Sequence, residues 1–152
     1  MKLIGTAKDR LLIQFGRREK ELLVALLQLY PCVPPAHHKL SKSAKVDPSN
    51  QQLLDEALAE QRSENQKQVA KLLGQGGRWT EHQSGWRLSL TAGEAEWLLQ
   101  VLNDIRVGSW VLLGSPEEHL NVLDQETAPH VWAMEVAGSF QMGLLHLLEH
   151  SS

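Results

Sequence analysis

Three groups of residues have types and spacings that chemistry could use. HLLEH places His146, Glu149 and His150 in the letter order of an inverted zinc-peptidase helix. On a helix the two imidazoles stand one turn apart and can ligate one ion, with Glu149 as a base. Only two residues follow, so a third ligand has to come from upstream, with His119, His130 and Glu135 as the candidates. A terminal turn also frays. The expectation is therefore no metal and no cofactor, with two histidines favourably placed at a helix C-terminus. The second group is Asn103, Asp104 and Arg106 within WLLQVLNDIRVGSW. A lone carboxylate without a paired acid, base or nucleophile defines no reaction. The third is His37 and His38, which are adjacent, cannot share a helix face and have no third ligand at short spacing. No catalytic motif is complete, and the expectation is a non-enzyme.

The charged group in the apolar helix needs partners. Positions 98, 101, 102, 105, 109 and 112 form one apolar face at helical spacing. Glu96, Leu99, Asn103, Arg106 and Trp110 form a second stripe. Arg106 reaches Asn103 one turn back and Trp110 one turn on, the latter as a cation–π contact. It cannot pair with Asp104, because residues two apart point to different sides. Asp104 has Gln100, Val101, Val107 and Gly108 as its nearest helix neighbours, none of them charged. Any buried charge here must therefore be met from another element or from a ligand, in the first case for Arg106 by a carboxylate such as Glu135 or Asp55. Trp97, Asn103, Asp104, Arg106 and Trp110 are accordingly either a structural clamp or a partner-binding site.

The elements that must position these residues follow from periodicity and breakers. KLIGTA and RLLIQF, separated by Lys8-Asp9 and ended by Gly16, predict a β-hairpin over 1–16. RREKELLVALLQLY puts Leu22, Leu23, Leu26, Leu27 and Tyr30 on one helix face before Pro31. Residues 31–49 form a Pro-rich, basic loop. The stretch after Pro48, with Ser49 as N-cap, predicts one long helix with two apolar stripes. Leu53, Leu54, Ala57 and Leu58 make the first, and Val69, Leu72 and Leu73 the second. The polar middle QRSENQKQ is expected to stand in solvent. Trp79 and Trp86 flank a second hairpin turn at 82–85, and this hairpin could join the first in one antiparallel sheet. Thr91 and Glu94 form a capping box opening a helix over 92–113. Ser115 caps a short helix through 125. Thr127 and Pro129 open a final helix over 128–149.

The resulting fold class is α+β and mostly helical, about five helices with one or two short antiparallel hairpins, in a single domain of 152 residues. The one cysteine, Cys32, permits no intramolecular disulfide and suits a reduced compartment. The longest apolar run is LLVALL, far short of the roughly 20 residues a membrane span needs. The expectation is a cytoplasmic protein with no membrane partner. Residues 1–45 carry nine Lys and Arg against three acids, and the rest carries six against 15. Such asymmetry can mark a face for nucleic acid, with Arg17, Arg18, Lys39, Lys42 and Lys45 as candidate contacts. It also arises from ordinary solvated helix faces.

LTAGEAEWLLQVLNDIR resembles the signature helix of a bacterial family filed as a domain of unknown function. The match lies in Leu90, Thr91, Trp97, Leu102, Asn103, Asp104, Ile105 and Arg106. The family's pattern ends in Leu-Asn-Asp-Leu-Arg and continues with a second arginine, where this chain has VGSWVLLG. The family includes an actinobacterial oxidation-sensing transcriptional regulator whose sensing relies on a cysteine pair. With Cys32 alone, only an intermolecular or mixed disulfide could follow here. The resemblance implies a regulatory or interaction role, and the reading of the whole chain is a non-catalytic regulatory or protein-interaction domain acting as a homodimer. DNA binding through the basic N-terminal third is the alternative, and a metallohydrolase using His146 and His150 a distant third.

Overall fold

The computed structural model describes residues 1–7, 9–30, 48–74, 78–113 and 127–150. Eight elements follow in order: β1 (Lys2–Ala7), β2 (Arg10–Gly16), α1 (Arg17–Leu27), α2 (Pro48–Gly74), β3 (Trp79–His82), β4 (Gly85–Thr91), α3 (Ala92–Leu112) and α4 (Ala128–Glu149). The fold is α+β, with four helices among the described residues and one antiparallel sheet. The helix expected over 115–125, the loop over 31–47, Cys32, His37, His38 and His119 lie outside the described residues.

The two hairpins join into one sheet of order β1-β2-β4-β3. Their inner strands pair along their full length, from Arg10 opposite Thr91 to Gly16 opposite Gly85. Both turns contain a left-handed residue, Asp9 at φ 65° and Gln83 at φ 53°, the backbone that two-residue hairpin loops demand. Gly85 is required by contact: a Cβ there would stand 2.5 Å from the Phe15 carbonyl oxygen. On the edge strand, register slips between Leu3 and Gly5, leaving Ile4 exposed at a bulge.

Alternation along the central strands sends Leu11, Ile13, Phe15, Leu88 and Leu90 to one face, where all are buried. Helix α1 adds Leu23, Leu26 and Leu27 to that core, α3 adds Leu98, Val101, Leu102 and Ile105, and α4 adds Ala133, Ala137, Phe140 and Leu144. The apolar face read for α3 is therefore the buried one. Its capping box is formed in both directions, Glu94 N–H donating to Thr91 Oγ1 at 3.1 Å and Thr91 N–H to Glu94 Oε1 at 2.9 Å. Arg78 also pairs with Glu94. Burial pushes the Glu94 carboxyl up, but the Thr91 backbone bond and Arg78 outweigh it and hold it below its ordinary value.

Helix α2 corrects the sequence reading at three points. It is one continuous 27-residue helix, as expected, but it starts at Pro48, so Ser49 lies inside it instead of capping it. Its first apolar stripe does not reach the core: Leu53 is 65% and Leu54 49% exposed. Its polar middle is not all solvated either, because Asn65 is 1% exposed. The Asn65 amide donates to the Tyr30 hydroxyl at 3.0 Å and accepts from Trp97 Nε1 at 3.0 Å and from Gln61 Nε2 at 3.1 Å. A buried amide with its donor and its acceptor both engaged is tolerated where an unsatisfied one is not. Trp97, expected as clamp or partner residue, is thus part of the clamp. Asn65→Ala leaves the Trp97 N–H without this acceptor and opens a void, so unfolding in urea should show a loss of about 2 kcal/mol. A midpoint equal to wild type would contradict this account of α2.

Candidate functional site

Helices α3 and α4 make the largest helix–helix contact, and the polar residues singled out in α3 lie along its outer seam. Asn103 Oδ1 accepts from Arg106 Nη2 at 3.0 Å and from Gln141 Nε2 at 3.4 Å. The Arg106 stem passes over Gly138, whose missing side chain would begin 3.6 Å from Arg106 Cδ. Those two cross-helix pairings run in opposite directions along the chain, so α3 and α4 are antiparallel. Asn103 is half-buried, while Arg106 and Trp110 are exposed. The stripe from Leu99 to Trp110 is therefore real, but what sits opposite Arg106 is a glycine, not an acid. Among the described residues no carboxylate pairs with Arg106; Glu135 is exposed, and Asp55 accepts from Gln51 at 2.7 Å. Arg106 turns back towards Asn103, so the expected clamp through a buried ion pair is replaced by an exposed charge held by a neutral amide.

Asp104 has a different outcome. It lies on the side of α3 turned towards α2, where Arg62 is the cation that acts on it. The Asp104 side chain is exposed, yet the packing beside it partly desolvates the carboxyl and pushes it above its ordinary value, with the attraction of Arg62 offsetting this in part. Arg62 sits in the polar middle that the sequence reading assigned to solvent, so it was missed as a partner. Gln141 and Gly138 were missed because α4 reads as uniformly apolar around them.

The sheet's outer face is a second candidate surface. Lys2, Gln14, Arg87 and Thr80 form one cross-strand row, Leu12 and Ser89 the next, and Arg10 and Thr91 the third. These rows hold three bases and no acid. Arg87 Nε donates to Gln14 Oε1 at 3.1 Å, and Arg10 Nη1 to Ser89 Oγ at 3.4 Å. A shallow cavity of about 620 Å³ opens at one end of this face, lined in part by Lys2, Gln14, His82 and Arg87. Of the nucleic-acid contacts expected from sequence, Arg17 and Arg18 open α1 and are exposed, Arg17 lying 3.9 Å from Glu81. Lys39, Lys42 and Lys45 fall outside the described residues. The strand bases Lys2, Arg10 and Arg87 were missed, since only the register between hairpins gathers them.

On the opposite side of the same hairpin, Lys20 Nζ lies 3.3 Å from the centre of the Trp86 ring and 5.1 Å from that of Trp79. Trp79 in turn meets Phe15 edge to face at 5.2 Å. This lysine fastens α1 to β3 and β4 through cation–π contacts. His146, Glu149 and His150 come together at the end of α4 and are exposed. His130 and Glu135, two of the three candidates for a third ligand, lie on the same helix, roughly 24 and 16 Å along its axis from His146 at 1.5 Å per residue. Neither can join the cluster.

No family model, no curated protein and no solved structure matches this chain. No described helix is long and apolar enough to cross a membrane.

The Asp104 carboxyl lies above its ordinary value in the fold, so folding disfavours its charged form. That penalty is absent below the ordinary aspartate pKa, about 3.9, and develops as pH rises from there through the raised folded value. Asp104→Asn should therefore melt slightly higher than wild type at pH 7, with the difference vanishing below about pH 4. A lower melting temperature at pH 7 would show that the Arg62 attraction outweighs burial.

Proposed function

We propose that this chain is a non-catalytic regulatory or protein-interaction domain that works as a homodimer through the outer α3–α4 seam. The observation that carries this is the composition of that seam. Helical spacing sets Trp110 one turn from Arg106, Val107 one turn from Asn103 and Leu145 one turn from Gln141, with Met142 three residues before Leu145; Val107, Trp110, Met142 and Leu145 are 44%, 39%, 74% and 43% exposed. The centre of the surface is polar and hydrogen-bonded across the two helices, and its frame is Trp, Met, Leu and Val. Tryptophan, methionine and arginine are enriched in protein interfaces relative to the rest of the surface. The likeness of the α3 segment to a family with a transcriptional regulator supports a regulatory task, linked to stress as in that regulator.

A dimer through this surface is isologous, with each Trp110 contributing twice across the two-fold axis. Size-exclusion chromatography with light scattering should give a dimer at tens of micromolar. Trp110→Ala should weaken it by about 2 kcal/mol, roughly thirtyfold in dissociation constant. A wild-type protein that stays monomeric at that concentration removes the homodimer.

A second reading, nucleic-acid binding, is favoured by the acid-free outer face of the sheet. Lys2, Arg10 and Arg87 can meet phosphates there without local competition from carboxylates. Fluorescence anisotropy on mixed-sequence duplex should show binding that weakens linearly in log salt. Arg87→Ala should lower that slope by about one contact. Absence of binding at the lowest salt, where phosphate contacts are strongest, ends this reading.

A further inference from the structure

The end of α4 carries a cluster that neither functional reading uses. His146, Glu149 and His150 each offer a ligand atom, and these atoms all lie within 4.8 Å of one another. The two imidazole rings are 4.3 Å apart between centroids and tilted by 46°. His150 is the C-cap, and its backbone N–H bonds to the Leu148 carbonyl. The carbonyl of His146 is met by the His150 ring instead, with Nδ1 at 2.8 Å. A carbonyl only accepts, so Nδ1 is the protonated nitrogen and Nε2 keeps its lone pair. That is the arrangement in which a backbone carbonyl fixes the tautomer of a metal-ligating histidine and aims its free nitrogen outward.

We propose that His146, Glu149 and His150 bind one divalent transition-metal ion, with water in its remaining positions. Two imidazole nitrogens and one carboxylate oxygen suit zinc, nickel or copper and not magnesium or calcium, which prefer all-oxygen shells. The negative end of the α4 dipole adds to the attraction for a cation. All three side chains are exposed, so an ion reaches them without any opening of the core. The fraying that disqualifies this turn as a catalytic frame matters less for binding, because the ion itself ties residues one helical turn together. Of the described candidates for a third protein ligand, His130 and Glu135 are out of reach along α4, so the proposed role is binding.

The test is titration of chelator-treated full-length protein with zinc chloride and nickel chloride by calorimetry, beside magnesium chloride. The expected result is saturable zinc and nickel binding, with magnesium silent. His146→Ala and His150→Ala should each weaken binding by about tenfold or more, and Glu149→Gln by less. The chain has seven histidines, so location needs its own readout. In ¹⁵N–¹H spectra, substoichiometric copper should broaden the amide signals of residues near 146–150 first. Circular dichroism should show each variant as helical as wild type, as expected for exposed positions. Equal zinc affinity in the His146→Ala/His150→Ala double variant overturns the site. So does wild-type protein that takes up no zinc, or copper broadening centred elsewhere.

Discussion

One buried amide determines how the helical layer is arranged. Helix α2 is long and mostly polar, and alone it has too narrow an apolar face to dock firmly. Asn65 gives it a fixed point: the amide joins Tyr30, just after α1, to Trp97 in α3. Val69 and Leu72, one and two turns on, complete the attachment by burial. A helix is stiff, so fixing its second half at Asn65 also fixes where its first half goes. That half runs past the core with Leu53 and Leu54 outward. The same placement brings Arg62 towards Asp104, so the charge environment of α3 follows from the Asn65 attachment.

The sheet imposes the second constraint. Among the described residues helices pack on one of its faces, and strand alternation then decides every other residue's surroundings. Because Ile13 pairs with Leu88 and Phe15 with Trp86, the apolar rows stack under the helices and the intervening rows face out. A slip of one residue would send Lys2, Gln14 and Arg87 inward and leave the core short of Ile13 and Leu88. The register that builds the core is therefore the same one that gathers the outer bases. Lys20, laid across Trp86 and Trp79, covers the open end of the hairpin on the core side.

Legibility in the sequence divides along the same physical lines. Local signals were sufficient for local structure. The Gly16 and Gly85 ends, the Thr91–Glu94 box and the Pro129 start gave element limits within a residue or two, because turns and caps depend on a few neighbouring side chains. Periodicity was sufficient for α3, whose apolar face is wide. It failed for α2, where the buried residue is an asparagine and the exposed ones are leucines. Burial there is decided by which partners lie across the gap, and no pattern within the helix carries that. Arg106 failed in a similar way. Its sequence neighbours are readable, but the residue its stem crosses is Gly138, 32 residues on and inconspicuous among Val136, Ala137 and Phe140.

Among the described residues the outer seam leaves Arg106 without a carboxylate partner, which supports the proposed recognition role over a clamp. A Cβ at 138 would make ordinary contact with the Arg106 stem, 3.6 Å from Cδ, while a carboxylate beside it would neutralise the charge. Gly138 supplies no charge, and the Arg106 side chain is exposed. Asn103 then orients the guanidinium through one neutral acceptor shared with Gln141. A fold clamp would gain by sealing that charge against an acid. A surface built to meet another molecule gains by the reverse arrangement, an oriented but unneutralised cation beside exposed tryptophan and methionine. Among the described residues the seam pairs Arg106 with no carboxylate, and Trp110 and Met142 are exposed, which is why the recognition role is proposed.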